Sequence, residues 1–357
     1  MTLPSSSNLR STLGSPPVWK QPNLPLTLAQ DSGKTFVDQN AHRVSAYPLL
    51  PLFAAVLHTK NVTSEFKIQA FDMASVELVT DRNGLRKLLR WIQGGVDVKD
   101  FRIDVDLVGN AVLFTRREPR TEDDVFGYGK AFERLATRHD PQETGHHRIV
   151  TYSLNGVKML VRFELDACLP DSGQSTIASS ASQDTALEMS TLADAFNQLS
   201  YTPNGSTSFT TVGVEIATGG VLVDQSLTME LKTRSRTTWD PVRRARVPNS
   251  IDWAESYLQL FLSQTQHHAL GWHDRGTFTT IEHVTLAKLG ERAEAKAQQA
   301  NLRKLSVVLR QVVDAVKVQG DGKLLSLVCE DGVLTLRHRH DRPDGALPQE
   351  LVPLLTA

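Results

Sequence analysis

Val161-Arg162-Phe163-Glu164-Leu165-Asp166-Ala167 reads as a strand that ends on two carboxylates. Glu230 lies 64 positions beyond Asp166, inside Leu227-Thr228-Met229-Glu230-Leu231-Lys232-Thr233. Residues i and i+2 of a strand project from the same face. Glu164 and Asp166 therefore share a face, as do Glu230 and Lys232. Each pair follows largely apolar neighbours, where a carboxylate is costly unless it is paired or bound to a cation. Three carboxylates and a lysine meeting between adjacent strands suit Mg²⁺ or Mn²⁺, which take oxygen ligands in near-octahedral geometry. A lysine beside such ions can orient an attacking water and stabilise charge on a phosphate oxygen. Each motif alone is equally the pattern of a solvated, salt-bridged strand face. The metal reading requires the two motifs to converge in space.

Working outward, Val157 to Ala167 pairs with Arg148 to Leu154 across Asn155-Gly156, the strongest hairpin signal in the chain. Phe101, Ile103, Val105 and Leu107 alternate with polar residues, and Gly109-Asn110 turns that strand into Ala111 to Thr115. Phe66 to Val79 is strand-like, and Gly84 to Trp91 carries Leu85, Leu88 and Leu89 on one helical stripe. Tyr128 to Ala136 reads as helix. So does the stretch from Asn249-Ser250 to about Gln264, with Trp253, Tyr257, Leu260 and Phe261. Short strands follow at 269–272 and 277–283. One long helix is expected over 287–318, then strands at 323–329 and 333–337. Helices and strands mix without strict alternation. The fold class expected is α+β, with mixed, largely antiparallel sheets flanked by helices. Residues 1–32, with five prolines, read as a disordered tail or an extended strap. Residues 33–357 read as a single domain, interrupted at about 170–210 by a Ser/Thr-rich surface insertion.

Composition narrows the class. The chain has 357 residues, 39 Lys plus Arg against 40 Asp plus Glu, and 40% hydrophobic residues. That describes a globular protein rather than a disordered or fibrous one. No run of about 18 apolar residues suggests a membrane span. No secretory signal opens the chain, so secretion is not expected. Two cysteines, Cys168 and Cys329, exclude a disulfide framework and fit a reducing compartment. Histidines occur as His146-His147, His267-His268 and His338-x-His340, but no spacing supports zinc, so exposed loop positions are expected. No phosphate loop and no nucleophile elbow is present. Lys232, Arg234, Arg236, Arg243, Arg244 and Arg246 face only Asp240 within fifteen residues, with Trp239 among them. Such cationic density suits phosphates, and an aromatic there can stack a base or cap. A solvated basic loop would look the same.

E-x-D followed by E-x-K is the pattern of metal-dependent nucleases with a restriction-endonuclease-like, PD-(D/E)XK-like core. Further segments, in order, resemble one family, the DXO/Rai-type decapping nucleases that act on RNA 5′ ends. Arg82-Asn83-Gly84-Leu85-Arg86-Lys87-Leu88-Leu89 looks like the family's Arg-Gly-x-Leu-x-Lys-Leu-Leu. Gly127-Tyr128-Gly129-Lys130-Ala131-Phe132-Glu133 stands where the family has Gly-Tyr-Lys-Phe-Glu, with two extra residues. His147-Arg148 opens the hairpin before E-x-D, and Glu230-Leu231-Lys232-Thr233 matches E-L-K-T. Tyr257-Leu258-Gln259-Leu260-Phe261-Leu262 parallels W-A-Q-S-F-L, and Gly271-Trp272-His273 parallels Gly-Phe-Arg. The resemblance covers about residues 75–340.

The resemblance implies that Glu133, Asp166, Glu230 and the main-chain carbonyl of Leu231 ligate Mg²⁺ or Mn²⁺. Glu164 would hold a metal-bound water or a second metal. Lys232 would orient the attacking water, and Gln259 would contact it or the scissile phosphate. Arg82 would grip a substrate phosphate, and Arg234, Arg243 and Arg244 would join Lys232 in holding RNA. The implied partners are RNA 5′ ends and, for some family members, a 5′-3′ exoribonuclease. Nicotinamide or flavin is implied only as a substrate cap, never as a cofactor. The implied location is nuclear or cytoplasmic, with a role in mRNA quality control. A scaffold that kept the fold and lost the chemistry, and a restriction-like DNA nuclease, remain as alternatives.

Overall fold

The computed structural model describes residues 10–12, 16–65, 72–94, 98–138, 145–170, 208–211, 214–217, 223–341 and 345–356. Most of the insertion expected at 170–210 lies outside them, as does the first half of the strand expected over 66–79. Sixteen strands matter here. In chain order they are β1 (Val18–Trp19), β2 (Leu26–Thr27), β3 (Leu78–Asp81), β4 (Phe101–Val108), β5 (Ala111–Arg117), β6 (Thr137–Arg138), β7 (His147–Leu154) and β8 (Val157–Glu164). Then come β9 (Ala167–Cys168), β10 (Thr228–Ser235), β11 (Thr237–Asp240), β12 (Ala245–Pro248), β13 (His267–Asp274), β14 (Thr277–Thr285), β15 (Leu325–Glu330) and β16 (Val333–His338). Five helices pack on them: α1 (Leu50–Glu65), α2 (Arg82–Gln93), α3 (Gly129–Ala136), α4 (Trp253–Ser263) and α5 (Ala293–Gln319).

Two seven-stranded mixed sheets form the frame. The first runs β7-β8-β3-β5-β4-β15-β16, the second β2-β14-β13-β10-β9-β1-β6. In the first, β3 is parallel to both β8 and β5, and the other pairs are antiparallel. In the second, β10–β13 and β9–β1 are the parallel pairs. The α+β class read from the sequence is the class observed.

Patterning explains the layers. Along β5, Val112 and Phe114 join a core with α2, α4 and α5, whereas Ala111 and Leu113 face Leu49, Phe53 and Leu355 on the other side. A sheet covered on both faces needs apolar residues at consecutive positions, and β5 supplies them. Leu302, Leu305, Leu309 and Val313 form the buried stripe of α5. The second sheet has its own core of Trp19, Phe132, Met229, Ala269 and Phe278.

Three expectations change. The single helix expected over 287–318 is two: Leu286–Gly290, capped by the Thr285 side chain on the Lys288 amide, and then α5. His267-His268 lies within β13 rather than in a loop, and His268 is fully buried. Residues 16–32 are not a loose tail. They supply β1 and β2 to the second sheet, and Trp19 is buried against Phe132. Among the described residues no helix is long and apolar enough to cross a membrane.

Candidate active site

Glu164-Leu165-Asp166 sits where the chain leaves the first sheet and enters the second: β8 ends at Glu164 and β9 begins at Ala167. β9 runs antiparallel to β10, pairing Ala167 with Met229. That register sets Asp166 beside Leu231, whose amide donates to the Asp166 carboxylate at 2.8 Å. The two motifs therefore meet at the junction of the sheets. α3 packs along β10 and brings Glu133 to the same place, while α2 and α4 bring Arg82 and Gln259.

Glu230 is the most constrained member. It is 6% exposed. Arg82 donates to its carboxylate at 2.9 Å, Lys232 approaches at 3.5 Å, and the Gln259 side-chain amide donates to its other oxygen. The Lys232 ammonium donates to the Gln259 carbonyl at 2.6 Å. Burial alone would raise the proton affinity of Glu230, but the charges of Arg82 and Lys232 overcome it and hold the group below the usual carboxylate range.

Asp166 behaves oppositely. Burial of the carboxyl, then the negative charges of Glu230, Glu133 and Glu164, push its pKa well above the ordinary value, against the Leu231 hydrogen bond. Glu133 is also raised, by burial first, although Lys130 pairs with it at 3.2 Å. Four carboxylates thus feel one another with too little positive charge between them. Glu164 lines a cavity of about 80 Å³ beside the cluster, together with Arg82, Arg116, Arg162 and His147.

The structure does not bring every expected residue to this cluster. Arg234 leaves β10 exposed and donates to the Ser250 carbonyl at 3.1 Å. Arg243 and Arg244 stand at the tip of the β11–β12 hairpin, exposed, with Arg243 3.5 Å from Asp240. Arg82, expected on a substrate phosphate, does reach the cluster, where it is bonded to Glu230.

Sequence reading missed Lys130, although its i, i+3 spacing to Glu133 on one helix was available. It also missed His268, opposite Glu230 in the β10–β13 register. Among the described residues neither ring nitrogen of His268 has a hydrogen-bond partner, and burial pushes its pKa down to about 4, which favours the neutral ring. Among the described residues no three His, Cys, Asp or Glu side chains stand close enough to cage an ion as placed. The donor set nevertheless fits a hard divalent cation in kind. It is all oxygen, and the raised Asp166 marks a site whose carboxylates repel and which added positive charge would relieve.

The mixed α+β fold, two sheets flanked by helices, is the PD-(D/E)XK-like fold of solved Rai1 structures. Solved structures that match it share that fold at low identity. Rai1 of Scheffersomyces stipitis matches with a TM-score of 0.54 and 12% identity, over 96% of this chain and 90% of that one. Rai1 of S. pombe matches at 0.52 and 12%, over 91% and 87%. Candida albicans Rai1, solved in complex with pU5-Mn²⁺, matches at 0.52 and 12%, over 85% and 80%. No curated protein matches the sequence. The chain itself belongs to a family described as a domain of unknown function, DUF8563, whose model matches residues 5–336.

Proposed function

We propose that the protein is a divalent-metal-dependent hydrolase of RNA 5′ ends, a decapping or 5′-end pyrophosphohydrolase or 5′-3′ exonuclease activity. The observation that carries this reading is the meeting of Asp166, Glu230 and Lys232 at one sheet junction, with Gln259 hydrogen-bonded between Glu230 and Lys232 and Glu164 lining the cavity alongside. The shared fold of Rai1, one example of which was solved with pU5-Mn²⁺, supports it. Glu133, Asp166, Glu230 and the Leu231 carbonyl would hold Mg²⁺ or Mn²⁺, with Glu164 serving a bound water or a second ion. The cation would supply Lewis acidity toward a phosphate oxygen. Lys232 and Gln259 form a fixed donor pair able to orient a water and to meet charge on a non-bridging oxygen. Arg82, at the edge of the cluster, can exchange its carboxylate partner for a substrate phosphate, since each offers a pair of oxygens that the planar guanidinium can bind bidentately.

The test is incubation with 5′-triphosphate, unmethylated-cap, dinucleotide-capped and 5′-monophosphate RNAs in Mg²⁺ or Mn²⁺. Cleavage of at least one is expected. Glu230→Gln keeps the shape of the side chain and removes a charge from the cage. It should lower hydrolysis by orders of magnitude while RNA binding survives. Full activity in that variant would discard the assigned site.

A second reading has its own observation. The carboxylates are already occupied, Glu230 by Arg82 and Glu133 by Lys130, as in an RNA-binding or exoribonuclease-partner scaffold that has lost catalysis. A wild type that cleaves none of the four RNAs and takes up no Mn²⁺ in calorimetry would establish it.

A further inference from the structure

The β11–β12 hairpin stands out from the second sheet as a two-stranded ribbon that belongs to neither large sheet. It continues β10 almost without interruption, so the strand that carries Glu230 and Lys232 leads directly into it. Trp239, at 59% exposure, is its one aromatic, and Val242 at the tip is 90% exposed. Among the described residues most of the indole is left uncovered, and leaving that much apolar surface in water is unfavourable at about 25 cal/mol per Å².

The cations around it are arranged, not merely numerous. Lys232 and Arg234 occupy alternate positions of β10 and so project to one side, roughly 6.6 Å apart, and Arg236 follows in the bend between β10 and β11. Arg236 is tied down by the Thr279 hydroxyl at 2.9 Å and the Thr280 hydroxyl at 2.6 Å. Arg246 pairs in register with Trp239 across the ribbon and donates to the Thr237 hydroxyl at 2.8 Å. These partners are hydroxyls, and that of Arg234 is a carbonyl. They fix the guanidinium groups without neutralising them. Lys232 has Glu230, and among the described residues the only one of these arginines with an acid is Arg243, beside Asp240, whose carboxylate also accepts from the amides of Val242 and Arg243.

We infer that this hairpin is a clamp for unpaired nucleic acid: Trp239 stacks a base, and Arg234, Arg236 and Arg246 take successive phosphates of the strand that trails from the junction. The inference rests on the RNA reading above and specifies where the body of the substrate lies and that it is single-stranded. An aromatic face among spaced, unneutralised cations is the recurring design of single-strand platforms, because every base offers a π-face and every nucleotide a charge. A base inside a duplex is already stacked and cannot use the indole. An acidic peptide would satisfy the arginines but has no flat ring for Trp239.

The experiment measures binding of a fluorescent single-stranded RNA 10-mer and of a blunt duplex of the same sequence, in EDTA so that hydrolysis is silent. The wild type should hold the single strand at least tenfold more tightly. Trp239→Ala should weaken that binding by about five- to a hundredfold, the range that base–aromatic stacking spans, and Trp239→Phe should restore most of it. Arg236→Gln and Arg246→Gln should each flatten the slope of log affinity against log salt by about 0.7. Equal affinity of Trp239→Ala and wild type, equal affinity for duplex, or displacement of the RNA by a polyglutamate peptide at comparable charge would each overturn the clamp. A wild type that binds the strand as expected but hydrolyses no RNA would instead sink the hydrolase reading and leave the clamp standing.

Discussion

Arg82 and Glu230 are 148 positions apart and form a bond at 2.9 Å with both side chains under a tenth exposed. No periodicity links them. The i, i+2 spacing showed that Glu230 and Lys232 share a face, but it could not show that a helix from the other sheet would deliver a guanidinium to the same carboxylate. Motif reading sees what a strand offers and is blind to what long-range packing brings to meet it. The energetic consequence is testable. A buried ion pair is expensive to break on one side, because the remaining charge stays desolvated and unpaired, at a cost of about 3–5 kcal/mol. Lys232 and Gln259 still serve Glu230 here, so Arg82→Ala should cost about 2–4 kcal/mol of unfolding free energy. Adding Glu230→Gln should recover part of that loss, because the orphaned charge disappears. A denaturant series on the two single variants and the double variant gives the coupling. If the double variant is as unstable as the sum of the singles, the pair is not coupled and the geometry misleads.

Elements were legible where a local rule governs them. Asn155 and Gly156 adopt φ of +48° and +85°, the left-handed pair that a two-residue hairpin turn requires, and β7 and β8 pair in the register those residues set. The split before α5 was not legible, because apolar spacing runs through it and the Thr285 cap competes only locally. Gly109 shows both sides. Its turn, at φ +59°, follows from Gly109-Asn110, yet nothing in the sequence hints that the backbone of a last short helix, Pro353–Thr356, lies against it. A Cβ at Gly109 would run into the Leu355 carbonyl oxygen, whereas one at Gly156, φ +85°, would meet nothing within 4 Å. Gly156→Ala should therefore cost only the backbone penalty, about 1–2 kcal/mol. Gly109→Ala should cost clearly more, since a backbone atom cannot swing aside as a flexible side chain can. Melting temperatures of the two variants, compared side by side, check it. Equal shifts would mean that the C-terminal helix does not hold its place against the turn.

At the scale of the molecule, the two sheets are joined through the acidic junction and by the N-terminal strap. Residues 1–32, rich in Ser, Pro and Leu, read from sequence as a disordered tail or an extended strap. Residues 16–32 complete surfaces built by others. β1 bridges β9 and β6, and Trp19 packs on Phe132 of α3. Asp31, 99 and 100 positions away from its partners, accepts from the amides of Lys130 and Ala131 at 2.8 Å each. α3 begins at a tyrosine that offers no side-chain cap, so the strap supplies the carboxylate that its first turn lacks. Because α3 carries Glu133, the strap sets the position of one wall of the candidate site. Asp31→Ala should then loosen that wall without unfolding the sheets. A lost cap costs about 0.5–2 kcal/mol, or a few degrees of melting temperature in a chain of this size. Amide exchange at Lys130 and Ala131 should accelerate sharply while exchange in β4 and β5 stays unchanged. Deleting residues 1–31 removes the cap, β1 and the Trp19–Phe132 contact together, and should both lower stability further and depress any hydrolysis. If the truncated protein melts with the full chain and keeps its activity, the strap is a passenger and α3 is held by β10 alone.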